Sequence, residues 1–135
     1  MNEQPTLFNY QNVVSENKSL EDLFFESGEW NTFDDENNLV KSKVKLFATK
    51  KIQKNGKPLF VLVMEHCFNE NDNIVNDIEC RTLEELLNWF ESKKQEAITL
   101  KEASDKGIMF DNRRYWWKTE IKGNKVEFIE KVIEW

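Results

Sequence analysis

Histidine is nearly absent from this 135-residue chain, with one at His66, and cysteine is scarce, with Cys67 and Cys80 alone. Two thiols cannot make a disulfide framework, so a reducing compartment with both thiols free is expected. One histidine and two cysteines fall short of the four Cys or His ligands that a structural zinc site usually takes. The four glycines stand apart at 28, 56, 107 and 123, so no glycine-rich loop can cradle a phosphate. No Gly-x-Ser-x-Gly elbow occurs. The longest apolar run, Leu59 to Met64, is far shorter than the roughly 20 residues of a membrane span. The opening MNEQPTLFNYQNVV lacks a basic start followed by an apolar stretch, so no signal peptide is expected and a cytoplasmic location is.

Against these absences stand ten Phe, five Trp and two Tyr. Such rings supply large buried areas, and a chain of this length fits one domain, residues 1–135, with 1–18 as a possible extended arm. Lysines outnumber arginines sixteen to three and asparagine is frequent, a bias that fits an AT-rich bacterial or phage genome.

The net charge of −6 is strongly segregated. Residues 1–39 carry −8, 40–64 carry +7 with no acid, 65–91 carry −7, and 92–135 carry +2. Acidic and basic segments that pack together explain this without a partner. A charged face that meets a partner of opposite sign explains it with one.

Periodicity gives the elements. Leu20, Leu23 and Phe24 fall on one helical stripe behind an N-capping Ser19, with Gly28 as the stop, which predicts a short helix. Residues 29–38 read as a loop. Val40, Ser42, Val44, Leu46 and Ala48 alternate with Lys41, Lys43 and Lys45, a half-buried strand. Asn55-Gly56 predicts a type I′ turn into a central strand over 59–68. After a turn over 69–73, residues 74–80 alternate as a third strand. Thr82 and Glu85 form a capping box for a helix over about 83–97. Thr99 and Glu102 form another, which with Gly107 predicts a separate helix over 100–106. Residues 113–121 read as a strand turned by 122–125, and 126–134 fit either a returning strand or a helix. The expected fold is therefore α+β: an antiparallel sheet of β-hairpins with two or three short helices packed on one face. Its order resembles that of double-stranded-RNA-binding domains, but the helix that should open with lysines opens Thr82-Leu83-Glu84-Glu85, and those acids repel phosphate.

No bond-making constellation emerges. His66 and Cys67 are neighbours on a predicted strand and point to opposite faces, so neither activates the other nor shares a metal. The consecutive acids Asp34, Asp35 and Glu36 do not have the spacing of a calcium loop. No catalytic residue, cofactor or metal is expected, and the chain is read as a binding protein rather than an enzyme.

Two surfaces are candidates for that binding. The first gathers Arg114, Trp116 and Lys118, which alternation places opposite Tyr115, Trp117 and Ile121, together with Trp30, Asp34, Asp35 and Glu36. An aromatic ring between cations is a favoured protein anchor. It suits an acidic inhibitor or modulator of a protein or nucleoprotein complex, such as a phage or mobile-element inhibitor or an immunity protein, and acids in 16–36 and 70–91 could imitate phosphate charge. The second is a ladder of Lys41, Lys43 and Lys45 leading to Lys50, Lys51, Lys54 and Lys57. These can neutralise phosphates, so a nucleic-acid-binding module is the alternative.

Overall fold

The computed structural model describes residues 20–111 and 114–133. The N-terminal arm, Ser19, Arg113 and the last two residues of the chain lie outside them. A 3-10 turn, Leu20–Asp22, is followed by β1 (Phe24–Glu26), β2 (Trp30–Phe33), β3 (Leu39–Ile52), β4 (Pro58–Phe68) and β5 (Asp72–Cys80). One long helix, α1 (Leu83–Asp105), leads to β6 (Ile108–Phe110), β7 (Trp116–Lys122) and β8 (Lys125–Val132). One sheet has the order β1-β3-β4-β5 with β2 also on β3, and the other the order β6-β7-β8.

The expectation of two or three short helices on a sheet is overturned. Strand makes up 54% of the structure, with a single α-helix among the described residues. Two physical reasons account for the difference. Residues 24–26 are Phe-Phe-Glu, and aromatic residues favour a pleated surface. They pair along β3 once the 3-10 turn closes through Leu23 N–H to the Leu20 carbonyl at 3.0 Å. Gly28, at φ 78, separates β1 from β2 instead of capping a helix. The expected loop over 29–38 likewise holds a strand, whose Trp30, Thr32 and Phe33 suit one, in register Trp30↔Ser42 to Phe33↔Leu39.

Further along, the two expected helices are one. No glycine or proline interrupts 83–106, and Leu, Lys, Glu and Ala favour helix through the intended break. Leu86, Phe90, Ala97 and Ala103 are all buried, so the apolar stripe continues past Thr99. The first capping box forms: Glu85 N–H donates to Thr82 Oγ1 at 3.1 Å, and Glu85 Oε1 accepts from Arg81 N–H at 2.8 Å. Gly107, at φ 78, ends the helix with its N–H on the Ser104 carbonyl at 2.9 Å. Residues 126–132 resolve as strand β8.

Turn chemistry also departs from expectation. Gly56 has φ 83, but Asn55 is not left-handed, and Gly56 N–H closes on the Gln53 carbonyl at 2.9 Å. That is a three-residue loop with the glycine in a bulge position. The paired left-handed turn lies instead at Asn69 (φ 51) and Glu70 (φ 70), closed by Asn71 N–H to the Phe68 carbonyl at 3.2 Å.

The chain resolves into two compact units. One comprises 20–25, 45–65 and 75–94, with Leu23, Leu46, Val61, Leu62, Cys80, Leu86 and Phe90 as its core. The other comprises 26–44, 66–74 and the described residues from 95 onward. Its core holds Trp30, Val40, Ser42, Val44, Ala97, Ala103, Ile108, Met109 and Val126. In this second unit the β2–β3 hairpin is sewn to the β7–β8 turn. Leu39 N–H donates to the Asn124 carbonyl at 2.6 Å and Val126 N–H to the Asn37 carbonyl at 2.8 Å.

Candidate interaction surface

The β7 segment is positioned by one carboxylate. Asp111 Oδ2 accepts from the Trp117 indole N–H at 2.8 Å, and its Oδ1 accepts from Tyr115 N–H at 3.2 Å. The Asp111 N–H meets the Tyr115 carbonyl at 2.9 Å, closing the loop that precedes β7. Trp117 then stacks on Phe128, with centroids 5.5 Å apart and planes at 14°, and Phe33 meets the edge of Phe128 at 4.9 Å. Tyr115 is covered by the Lys131 ammonium, 3.8 Å from the ring centroid.

Alternation sends the intervening residues to the opposite face. Trp116 is half-buried against its cross-strand partner Phe110, with ring centroids 4.9 Å apart. Lys118 follows on the same face and pairs with Glu130 at 3.9 Å, both largely exposed. Between Lys118 and Thr119 the register slips by one residue, so that Lys118 faces Glu130 while Thr119 faces Phe128. Ile129 is the extra residue of that bulge and is half exposed. Arg114 is exposed in the bend before β7 at φ 73, outside the strand itself. The structure thus gathers Phe110, Trp116, Lys118 and Glu130 on one sheet face. Phe110 and Glu130 were missed from sequence because cross-strand register and bulges have no local signature.

The other residues of the first expected surface do not join it as a group. Trp30 is buried, 5% exposed, with its ring 5.7 Å from that of His66. Asp34 organises its own turn: Oδ1 accepts from Glu36 N–H at 2.9 Å and Asn38 N–H at 2.8 Å, and Oδ2 from the Asn38 amide at 3.2 Å. The Asn38 backbone bond, with the Asn38 amide and Glu36 N–H, holds the Asp34 carboxyl below its ordinary pKa. Asp35 and Glu36 are exposed, and the Glu36 carbonyl accepts from Lys125 at 3.3 Å.

The lysine ladder does alternate as expected, with Val40, Ser42, Val44 and Leu46 buried behind it. Its charges, however, have partners. Lys41 donates to Asn31 Oδ1 at 2.7 Å, Lys43 lies 3.9 Å from Glu26, and Lys45 lies 3.9 Å from Glu65. A shallow groove of about 190 Å³ over Lys41 and Lys43 is closed by Glu29, Glu70 and Cys67. Interleaved carboxylates leave little positive potential on this stretch for a phosphate backbone.

His66 and Cys67 diverge as strand neighbours do. The Cys67 thiol lies 3.3 Å from Asn73 Oδ1, whereas His66 Nε2 lies 2.5 Å from Ser42 Oγ. A hydroxyl beside an imidazole is the geometry of an activated nucleophile, but Ser42 is 1% exposed and no substrate reaches it. Burial raises the pKa of the Cys80 thiol, helped by the Glu85 charge. Among the described residues no group of three His, Cys, Asp or Glu side chains is placed to hold a metal ion, and no helix is long and apolar enough to cross a membrane. No family model, no curated protein and no solved structure matches the chain.

Proposed function

We propose that this chain is a cytoplasmic binding protein that modulates or inhibits a protein partner, and that it engages this partner through the outer face of β7 and β8. The observation that carries the reading is the half-buried Phe110–Trp116 ring pair across β6 and β7, bordered by the exposed Lys118 and Glu130. Trp and Arg surrounded by polar groups match the anatomy of interface hot spots, where a few large rings carry most of the energy. Trp116 already rests on Phe110, so it loses little side-chain freedom on binding. Exposed Arg114 supplies steering charge at the rim of a chain that is acidic overall.

The test is affinity capture from an extract of the source cell, followed by titration of the captured protein. Trp116→Ala is expected to weaken binding by 2 kcal/mol or more, roughly a 30-fold rise in Kd. Trp89→Ala, at an exposed tryptophan of the other unit, is expected to leave Kd unchanged. Equal binding by the wild type and Trp116→Ala removes this face from consideration.

A further inference from the structure

The end of the β3–β4 hairpin is chemically unlike the ladder that leads to it. Lys50, Lys51, Lys54 and Lys57 are all exposed, and residues 46–64 contain no acid. The turn that presents them is well fixed. Gln53 N–H donates to the Lys57 carbonyl at 2.9 Å, and the Asn55 side-chain oxygen accepts from Lys57 N–H at 2.9 Å. Beside it opens a groove of about 490 Å³, lined by Gln53, Asn55, Lys57, Pro58, Leu59 and Arg81. This volume lies within the roughly 300–1,000 Å³ of small-ligand clefts. Arg81 enters from the segment between β5 and α1. Glu79, Glu84 and Glu85 flank it in sequence, and the Glu85 carboxylate is engaged with the Arg81 backbone N–H.

We infer that this groove, with Lys54 in the turn beside it, is a contact site for single-stranded nucleic acid. One nucleoside lies against Pro58 and Leu59 within reach of the Gln53 and Asn55 amides. Its phosphate meets Lys57 and Arg81, and a neighbouring phosphate meets Lys54. A lone phosphate would use Lys57 and Arg81 and leave Lys54 without a role. A duplex keeps its bases stacked and cannot place one in the groove, whereas an unpaired strand can. The site belongs to the unit that does not contain β7 and β8, and it does not depend on the protein-partner reading.

The experiment uses the whole chain and a fluorescein-labelled oligothymidylate of about 12 nucleotides, read by anisotropy. Three cations on single-stranded phosphate predict a log–log salt slope of about −2.1, so affinity falls about 20-fold between about 50 and 200 mM salt. Lys57→Gln with Arg81→Gln is expected to weaken binding at least tenfold and to flatten the slope by about 1.4. Lys43→Gln with Lys45→Gln, whose cations already lie 3.9 Å from Glu26 and Glu65, is expected to change affinity less than twofold. Thermal unfolding of each variant establishes that it is folded. The inference is overturned by any of four results: no anisotropy change at the lower salt, unchanged affinity in the Lys57/Arg81 variant, equal or tighter binding of a duplex of the same length, or full displacement by millimolar inorganic phosphate.

Discussion

Ser42 Oγ lies 2.5 Å from His66 Nε2, and this pairing joins the one buried polar side chain among the described residues to the only imidazole in the chain. The ring packs against Phe68, stacked at 4.2 Å, and Trp30, tilted at 5.7 Å. A hydroxyl both donates and accepts, so it satisfies Nε2 in either neutral tautomer. Burial holds the His66 pKa below its ordinary value of 6.5, and the ring is neutral at pH 7.

That depression fixes a pH dependence. Above 6.5 the ring is neutral in both the folded and unfolded chain, and its contribution to stability is constant. As pH falls below 6.5 the unfolded chain takes up the proton first, so folding stability drops until the lower folded pKa is passed. Urea unfolding between about pH 7.5 and pH 5 is expected to show this loss, and His66→Gln is expected to reduce it. Titration of the imidazole by NMR in the native protein should give a midpoint below 6.5. A midpoint at or above that value would contradict the assignment.

Removing the hydroxyl tests the pair from the other side. Ser42→Ala leaves a half-buried imidazole nitrogen without its partner at a site that water reaches poorly. The expected cost is about 1–3 kcal/mol. If the hydrogen bond is responsible, Ser42→Ala combined with His66→Phe costs less than the two single changes added together. Additive costs would show that the two residues act separately.

Glu70 occupies a left-handed backbone conformation, φ 70, next to Asn69 at φ 51. Asparagine tolerates that region, and here its side-chain oxygen is also used, accepting from Lys41 N–H at 2.8 Å. Glutamate gains nothing comparable from the geometry. Glu70→Gly is expected to relieve the steric cost and raise stability by about 0.5–1 kcal/mol, whereas Asn69→Ala, which loses the bond to Lys41, is expected to lower it. Midpoints of chemical denaturation at constant m value distinguish these outcomes.

What could be read from sequence was whatever depends on neighbours in the chain. The alternation of Val40 to Leu46 against Lys41 to Lys45, the Thr82–Glu85 cap and the stop at Gly107 all rest on local chemistry, and all are found. What escaped depends on partners distant in sequence. Phe24 fits a helical stripe as well as a strand, and the open edge of β3 decides between them. Trp30 looked like an exposed anchor in an acidic stretch, yet β2 carries it into the core opposite Ser42. The ion pairs of Lys43 and Lys45 with Glu26 and Glu65 turn a row of apparent phosphate ligands into a balanced surface. The Asn-Gly pair misdirected the turn type because loop length, not dipeptide preference alone, sets hairpin geometry.

The Asp111 carboxylate links fold to proposed interface, which makes it a sharp place to intervene. Its two oxygens hold the Trp117 indole and the Tyr115 amide, and so fix where β7 begins. The strand alternates from that point, so the same contacts determine that Trp117 meets Phe128 and Trp116 meets Phe110 on the opposite face. Asp111→Ala removes a charged acceptor from a half-buried N–H and is expected to cost about 1.5–3 kcal/mol. Asp111→Asn keeps an acceptor of the same shape without the charge and is expected to recover about half of that loss. Near-ultraviolet circular dichroism reports the Trp117 environment directly and should weaken in the alanine variant while the far-ultraviolet signal of α1 persists. If the alanine variant keeps both its stability and its aromatic signal, Asp111 is not what sets the strand, and the placement of Trp116 against Phe110 needs another cause.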